Sequence, residues 1–204
     1  MKNKKIAVIG GSFNPVHMGH MAVGEAAQKE LCPQKVIFIP SYIHPDKGKP
    51  LGATFEQRFY MLQLAVATKE DWEVSEIEYK QNRTSYTVNT LTELKKTLCE
   101  NSEIYFVCGA DIIYTIHTWR DPQRLFRICK FAVVQRPGFM SNDFLAQVKE
   151  VEKRYDGFIS IIECEQMDIS SSDIRNRIKG NVSVKGLVPE PVEEYIRKNR
   201  LYQN

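Results

Sequence analysis

The sequence has few of the features that mark disulfide-rich, membrane-spanning or nucleic-acid-binding proteins. Its five cysteines are odd in number and none form a C-x-x-C pair, so we expect no disulfide framework and no zinc site, and a reducing cytoplasm fits. No apolar run approaches a membrane span in length, and the run at 6–9 is too short for the core of a signal peptide. The 28 Lys and Arg residues against 25 Asp and Glu leave a net charge of only +3, so we expect no membrane or nucleic-acid partner.

Short apolar runs alternate with longer amphipathic stretches, a pattern typical of an α/β protein. Strands are predicted at 5–10, 35–40, 72–79, 103–108, 131–134 and 157–162, and helices at 19–31, from 54, and at 86–98, 142–155, 172–179 and 191–199. Strands that are apolar on consecutive residues indicate a sheet covered by helices on both faces. We therefore expect one domain over 1–204 with a doubly wound, mainly parallel sheet, in which 165–204 forms a small C-terminal helical subdomain.

The segment Gly10–His20 follows the first predicted strand and begins the first predicted helix. Its sequence, GGSFNPVHMGH, contains neither the G-x-G-x-x-G fingerprint of dinucleotide-binding proteins nor the G-K-[ST] of a P-loop. Two glycines let backbone amides approach a ligand closely, and a helix N-terminus attracts anions. His17 and His20 can share one side of the first helical turn. Together these features favour a polyphosphate pocket over a plain turn with two surface histidines.

The same segment resembles the signature of the H-x-G-H nucleotidyltransferase superfamily, and the whole chain is similar to the bacterial nicotinate-nucleotide adenylyltransferases. The resemblance implies a Rossmann-like nucleotidyltransferase fold and transfer of AMP from ATP to nicotinate mononucleotide. The products would be deamido-NAD and pyrophosphate, within NAD biosynthesis. Mg²⁺ is the expected cofactor, held mainly by phosphates and water, so no protein metal site is expected.

In this reaction a phosphate monoester attacks the α-phosphorus of ATP. The nucleophile is already an anion near neutral pH, so catalysis needs positioning and charge stabilisation and no general base. The resemblance assigns catalytic roles to His17, His20, Lys47 and Arg175. We expect imidazolium forms of the two histidines to help most, with bound phosphate raising their pKa values.

The ATP-binding residues implied by the resemblance are Gly10, Gly11, Ser12, Phe13, Gly109, Asp111, Ser171 and Ser172. Gly109 and Asp111 follow a buried strand, where doubly wound sheets bind ligands, and the Asp111 carboxylate can accept hydrogen bonds from ribose hydroxyls. The segment 169–175, ISSSDIR, resembles the I-S-S-T-x-I-R motif of the family, with Ser172 in place of threonine. It begins a helix and forms a second anion site, where Arg175 would bind the β- and γ-phosphates.

The residues implied for nicotinate mononucleotide are Thr84, Ser85, Tyr86, Thr87, Trp119 and Arg136. Exposed amides at 84–87 would hold the nicotinate carboxylate, because a helix N-terminus prefers an anion to a neutral carboxamide. Trp119 would stack on the pyridine ring. Arg136 ends another predicted strand and is interpreted either as a phosphate ligand or as a turn residue.

Two other functions stay open. The chemistry would be the same with another acceptor, such as pantetheine phosphate, nicotinamide mononucleotide or, for a cytidylyltransferase, a small alcohol phosphate. A catalytically silent nucleotide-binding protein is the other alternative, since Asn14 stands where aspartate is commoner and Asp46 precedes Lys47 where the family has histidine. The sequence leaves open whether the chain forms a homo-oligomer.

Overall fold

The computed structural model describes residues 4–43, 52–82, 84–136, 138, 141–165 and 167–203. These residues form six strands, which are β1 (Lys4–Gly11), β2 (Lys35–Pro40), β3 (Trp72–Val74), β4 (Ser102–Gly109), β5 (Cys129–Gln135) and β6 (Ile159–Glu163). Their order in the sheet is β3-β2-β1-β4-β5-β6, and every neighbouring pair is parallel. The doubly wound parallel sheet predicted from the sequence is confirmed.

Helices cover both faces of this sheet. They are α1 (Met18–Leu31), α2 (Phe55–Val66), α3 (Ile77–Gln81), α4 (Thr87–Thr97), α5 (Ile112–Thr115), α6 (Pro122–Ile128), α7 (Asn142–Tyr155), α8 (Ser171–Lys179) and α9 (Glu190–Lys198), with a 3₁₀ turn at Ile116–Thr118. No helix among the described residues is long and apolar enough to cross a membrane. All five cysteines are free thiols.

Successive side chains of β1 enter two separate hydrophobic cores, because neighbouring residues of a strand point to opposite faces. Ala7 and Ile9 belong to the core that α1, α2, α8 and α9 cover. Ile6 and Val8 belong to the core that α4, α5, α6 and α7 cover. This two-sided burial is the reason why the strand is apolar on consecutive residues.

The C-terminal segment packs on the same core as the first strand. Ile174 of α8 and Val192 of α9 are fully buried there, and Leu201 and Tyr202 join them beyond the last helix. The two ends of the chain therefore meet on one face of the sheet.

The predicted strand at 72–79 is wrong beyond Val74. The chain turns at Ser75, whose hydroxyl accepts a hydrogen bond from the amide of Ile77, and α3 follows. Glu78, a polar residue within the predicted strand, is itself buried and bonded to donors inside the protein. Sequence periodicity does not reveal a buried carboxylate of this kind.

The helices between 112 and 128 were not predicted, although α6 has a recognisable start. Asp121 caps the helix by accepting a hydrogen bond from the amide of Arg124, and Pro122 occupies the first helical position. Asp followed by Pro is a common helix beginning, so this signal could have been used.

Candidate active site

A cleft of about 890 Å³ lies at the carboxyl ends of β1 and β4, where the strand order reverses. Doubly wound sheets bind their ligands at this point. Twelve of the residues proposed from the sequence line it, namely Gly10, Gly11, Ser12, Ser85, Tyr86, Thr87, Gly109, Asp111, Trp119, Ser171, Ser172 and Arg175. The fold thus brings segments from both ends and the middle of the chain to one site.

The other predicted site residues lie differently. Lys47 is outside the described residues, as are His44 and Asp46. His17, His20, Phe13, Thr84 and Arg136 are not among the residues that line the cleft. Arg136 is exposed at the end of β5, one strand away from the switch point.

The two histidines stack on each other at the start of α1. Their ring centroids are 3.7 Å apart, and Nδ1 of His20 accepts a hydrogen bond of 3.2 Å from the backbone amide of His17. That bond leaves the proton of a neutral His20 ring on Nε2. Both side chains are therefore held in place by the helix start that they help to form.

Both histidines are neutral in the free protein near neutral pH. Burial lowers the pKa of His17 to about 4. Burial, together with the charge of His17, lowers the pKa of His20 to about 3. The expected imidazolium forms are therefore absent from the free protein, because burial disfavours the charged form of each ring.

Phe13 is completely buried beneath the loop. Its ring contacts the rings of His20 and Phe38 with centroids 4.8 Å and 5.9 Å away. A Cβ at Gly11 would lie 3.1 Å from the Phe13 ring, so glycine at this position favours the close approach. The expectation that Phe13 contacts ATP stays a prediction, since Phe13 is not among the residues that line the cleft.

Hydrogen bonds join the C-terminal serine–arginine motif to the N-terminal loop. Ser171 Oγ donates to the carbonyl of Pro15 at 2.9 Å, across 156 positions of sequence. Arg175 donates through Nη1 to the carbonyl of Asn14 at 2.8 Å and through Nη2 to Ser172 Oγ at 3.1 Å. The guanidinium is thus oriented at the edge of the cleft by its two bonds.

Tyr202 fixes the side chain of Asn14 from below the loop. Its hydroxyl donates to Asn14 Oδ1 at 2.8 Å, and both side chains are buried. Burial raises the pKa of Tyr202 well above its ordinary value, so the hydroxyl keeps its proton. No sequence motif indicates this contact, which spans 188 positions.

The start of α4 faces the cleft without a side-chain cap in the described structure. Tyr86 is the N-cap residue and makes no side-chain bond to the helix. Ser85 Oγ, which could have capped it, instead accepts hydrogen bonds from the amides of Tyr42 and Ile43 at 3.1 Å and 3.4 Å. Amides of the first helical turn have no acceptor within the helix, so they are available to an anion here.

Fewer of the backbone amides at 84–87 are available to a ligand than the sequence suggested. The Ser85 amide already donates to the Ile43 carbonyl at 2.8 Å, and the Tyr86 amide donates to Thr84 at 3.1 Å. Thr84 itself pairs with Ile43 in an isolated parallel bridge. The amides of Asn89 and Thr90 donate to the Tyr86 carbonyl at 2.9 Å and 3.1 Å, so the amides of Thr87 and Val88 are the ones that can meet a carboxylate.

Two side chains beside this helix start form a wall of the cleft. Trp119 is half-buried and meets the ring of Phe106 edge-on, with centroids 6.1 Å apart. The guanidinium of Arg120, which sequence reasoning missed, lies 4.5 Å from the centre of the Tyr86 ring. An aromatic surface and a cation thus flank the first-turn amides.

Two buried charged residues, also missed from the sequence, connect the loops around the cleft. Arg58 is 1% exposed and donates to the carbonyls of Ser12 and Ser41 at 2.6 Å and 2.9 Å. Glu78 is 9% exposed and lines the cleft, and burial raises the pKa of its carboxyl. Arg58 lies on the apolar face of α2, and a charged residue in that position was a signal that could have been read.

Known proteins share sequence and fold with this chain. The cytidylyltransferase-like family model matches residues 8–177. A relative from Carboxydothermus hydrogenoformans is 39% identical over 204 residues and covers all of both chains, and one from Moorella thermoacetica is 40% identical and covers 98% of this chain and 92% of the relative. Both carry the name "probable nicotinate-nucleotide adenylyltransferase".

The fold is also found in a solved structure. The nicotinic acid mononucleotide adenylyltransferase of Plasmodium falciparum complexed with NaAD aligns with a TM-score of 0.77 and 20% identity, over 98% of this chain and 97% of that one. At this identity the likeness concerns the fold. The full-length relatives and the family match establish that this chain is a nucleotidyltransferase enzyme that belongs to the nicotinate-nucleotide adenylyltransferases, within the cytidylyltransferase-like family.

Proposed function

We propose that the enzyme transfers AMP from ATP to nicotinate mononucleotide and releases pyrophosphate. An oxygen of the acceptor phosphate bonds to the α-phosphorus, while the bond from that phosphorus to the bridging oxygen of the β-phosphate breaks. The observation that carries the proposal is the uncapped start of α4, which faces the same cleft as the phosphate-binding loop. The names of the relatives and the NaAD complex of the structural neighbour support the same acceptor.

ATP is assigned to the side of the cleft formed by the two ends of the chain. The amides of Gly10, Gly11 and Ser12 and the backbone of Phe13 would approach its phosphates. Ser172 would add a hydroxyl donor and Arg175 a positive charge, while Ser171, whose hydroxyl donates to the Pro15 carbonyl, would offer its backbone amide at the helix start. Gly109 and Asp111 would receive the ribose hydroxyls.

His17 and His20 would act as hydrogen-bond donors to the transferring phosphate. In the free protein they are neutral, and incoming phosphate charge would raise their pKa values, so a proton can be taken up on binding. Lys47 is assigned to phosphate binding from the family resemblance. All these groups stabilise charge, so no covalent intermediate is needed.

The acceptor is assigned to the start of α4 and the wall beside it. The nicotinate carboxylate would bind the amides of Thr87 and Val88, while Trp119 stacks on the pyridine ring. Thr84, Ser85 and Tyr86 shape this site through their backbone bonds. Arg136 remains a predicted phosphate ligand, although it is not part of the cleft lining.

A divalent cation, expected to be Mg²⁺, would accompany ATP. The described residues contain no group of three or more His, Cys, Asp or Glu side chains that could hold a metal ion. Asp111 and Glu78 are the carboxylates of the described residues that line the cleft, so the ion would take most of its oxygen ligands from phosphates and water. When bound, it would neutralise charge on the departing pyrophosphate.

Residues 1–204 are proposed to act as one domain, with 165–204 as its C-terminal helical part. The burial of Ile174 and Val192 in the core of the first strand supports this organisation. The bond from Arg175 to Asn14 supports it too, since it makes the C-terminal part a component of the site.

Pyrophosphate release with different acceptors tests the proposed function. The enzyme is incubated with ATP and Mg²⁺ plus nicotinate mononucleotide, nicotinamide mononucleotide or pantetheine phosphate, and the nucleotide product is identified by mass. Release with nicotinate mononucleotide and formation of deamido-NAD are expected. Release with pantetheine phosphate alone would assign a different acceptor, and no release with any of the three would favour a catalytically silent protein.

A further inference from the structure

The carboxylate of Glu78 is buried at the edge of the cleft and has no part in the chemistry proposed above. It lies on the short helix α3 and is 9% exposed. Its Oε1 accepts a hydrogen bond of 2.8 Å from the hydroxyl of Thr90, which is itself buried on α4. Its Oε2 accepts one of 3.3 Å from the amide of Tyr42, which follows β2. One side chain thus links α3, α4 and the segment after β2.

The serine before α4 belongs to the same network. Ser85 Oγ accepts from the amides of Tyr42 and Ile43, so its own proton is left to donate, and its bond to Glu78 is one of the effects that lower the pKa of that carboxyl. Glu78 therefore binds hydroxyls on both sides of the helix start, at Ser85 and at Thr90. The backbone that presents the first-turn amides lies between these two attachments.

An ionised carboxylate suits this position because it only accepts hydrogen bonds. Every hydroxyl and amide that meets it must turn a hydrogen toward it, which fixes the orientation of those groups. A buried negative charge beside an anionic substrate would be unfavourable if it were isolated. Burial raises the pKa of Glu78 overall. The hydrogen bonds from Ser85, Thr90 and Tyr42 oppose this effect, and the charge of Arg58 adds to them.

We propose that Glu78 is a positioning residue that holds the start of α4 in the geometry needed to bind the acceptor carboxylate. The inference rests on the proposed function, since it takes the α4 start as the acceptor site. Replacement of Glu78 by glutamine keeps the shape but sets an amide donor against either Thr90 or Tyr42. The helix start then shifts, while the phosphate-binding side of the cleft, attached elsewhere, is unaffected.

The test compares Glu78→Gln with wild-type enzyme in steady-state kinetics. The KM for nicotinate mononucleotide is expected to rise about tenfold, as for a lost charge-assisted hydrogen bond. The KM for ATP and kcat should change less than about twofold, since no transition-state contact is removed. The preference for nicotinate over nicotinamide mononucleotide should fall with the rise in KM.

The matched control is Glu76→Gln, two positions earlier on the same turn. Glu76 is exposed and pairs with Lys80 at 2.7 Å, so the same chemical change there should leave all three constants unaltered. Thr90→Val is the second variant, which removes one donor to Glu78 and should move the KM for nicotinate mononucleotide in the same direction. It keeps the proposal testable if Glu78→Gln folds poorly.

Three results would overturn either the proposed function or the positioning role of Glu78. If wild-type enzyme does not use nicotinate mononucleotide, the proposed function is wrong, whatever the variants do. If wild type is active and Glu78→Gln keeps both its KM and its acceptor preference, the positioning role is wrong. A fall in kcat/KM of the same size with nicotinate and nicotinamide mononucleotide, together with a lower melting temperature, would also contradict the positioning role. Such a result would indicate a structural role alone.

Discussion

The two sides of the cleft are built in different ways. The phosphate side, which consists of Gly10–His20 and 169–175, joins the two ends of the chain through bonds such as that of Ser171 to Pro15. The pyridine side, which consists of 41–43, 78–82, 84–90 and 119–120, comes from the middle of the chain. Its proposed ligand groups are backbone amides and the Trp119 ring, and hydrogen bonds of Glu78 and Ser85 connect its segments.

The difference shows where sequence motifs are informative. On the phosphate side the proposed groups include histidine, serine and arginine side chains, so the residue types are themselves a signal. On the pyridine side the proposed amides could belong to any sequence, and only the helix start makes them useful. The sequence therefore predicts the segment 84–87, whereas the three-dimensional structure is needed to tell which of its amides are available.

The largest effect is expected from a substitution on the phosphate side of the cleft. His20→Ala should lower kcat about 100- to 1000-fold, as for the loss of one donor to a transferring group. It should do so equally for every acceptor, because the pyridine side is intact. Turnover is measured by pyrophosphate release, with the exposed His117→Ala as the control. A folded His20→Ala enzyme with nearly normal turnover would contradict the role of this histidine.

Arg175→Lys should have the next largest effect. The guanidinium binds both Asn14 and Ser172, and a lysine amino group cannot reproduce this planar two-point contact. We expect the KM for ATP to rise about tenfold with little change in the KM for the acceptor. Arg177→Lys on the exposed side of the same helix is the control. A rise in the KM for the acceptor alone would contradict the assignment of Arg175 to the phosphate side of the cleft.

Trp119→Ala should affect binding of the acceptor and not binding of ATP. Loss of the ring should raise the KM for nicotinate mononucleotide about three- to tenfold, the range expected for one aromatic stacking contact. The KM for ATP is expected to stay the same. Tyr114→Ala, an exposed aromatic residue nearby in sequence, serves as the control. An unchanged KM for nicotinate mononucleotide would contradict the assignment of Trp119 to the acceptor site.

The smallest effect is on stability and concerns the ionisation of the two histidines. The unfolded chain takes up protons near pH 6.5, whereas folded His17 does so only near pH 4 and His20 near pH 3. The stabilising contribution of the neutral rings is therefore complete above pH 6.5 and is lost as the pH falls toward 4. The free energy of unfolding of wild type should decline over this interval.

Denaturant titrations at a series of pH values measure this decline. His20→Asn retains an acceptor near the position of Nδ1 but cannot titrate, so its stability should depend less on pH in the same interval. Parallel pH profiles for the two proteins would show that the His20 ring is not held neutral by burial.

Much of the fold could be predicted because its signals are local. The strand at 35–40 and the helix at 142–155 were located at their observed bounds. The strand is a continuous apolar run, and the helix has a regular apolar face beginning after Ser141, whose hydroxyl caps it. Signals of this kind do not depend on the rest of the protein.

The parts that could not be predicted depend on distant contacts. The bond from Tyr202 to Asn14 and the bonds from Arg58 to Ser12 and Ser41 join segments that no motif connects. The neutral state of the histidines follows from burial, which the sequence of a glycine-rich loop does not show. The short helix at 77–81 has no regular pattern of its own, since its buried position is occupied by Glu78.

The measurement that tests the central claim most directly is the ratio of kcat/KM for nicotinate mononucleotide to that for nicotinamide mononucleotide in the wild-type enzyme. The two acceptors differ in the charge that would meet the first-turn amides of α4. A ratio of at least about tenfold in favour of the carboxylate is predicted, as for a hydrogen-bonded charge replaced by a neutral amide. A ratio close to one would contradict the assignment of the α4 start as the acceptor site.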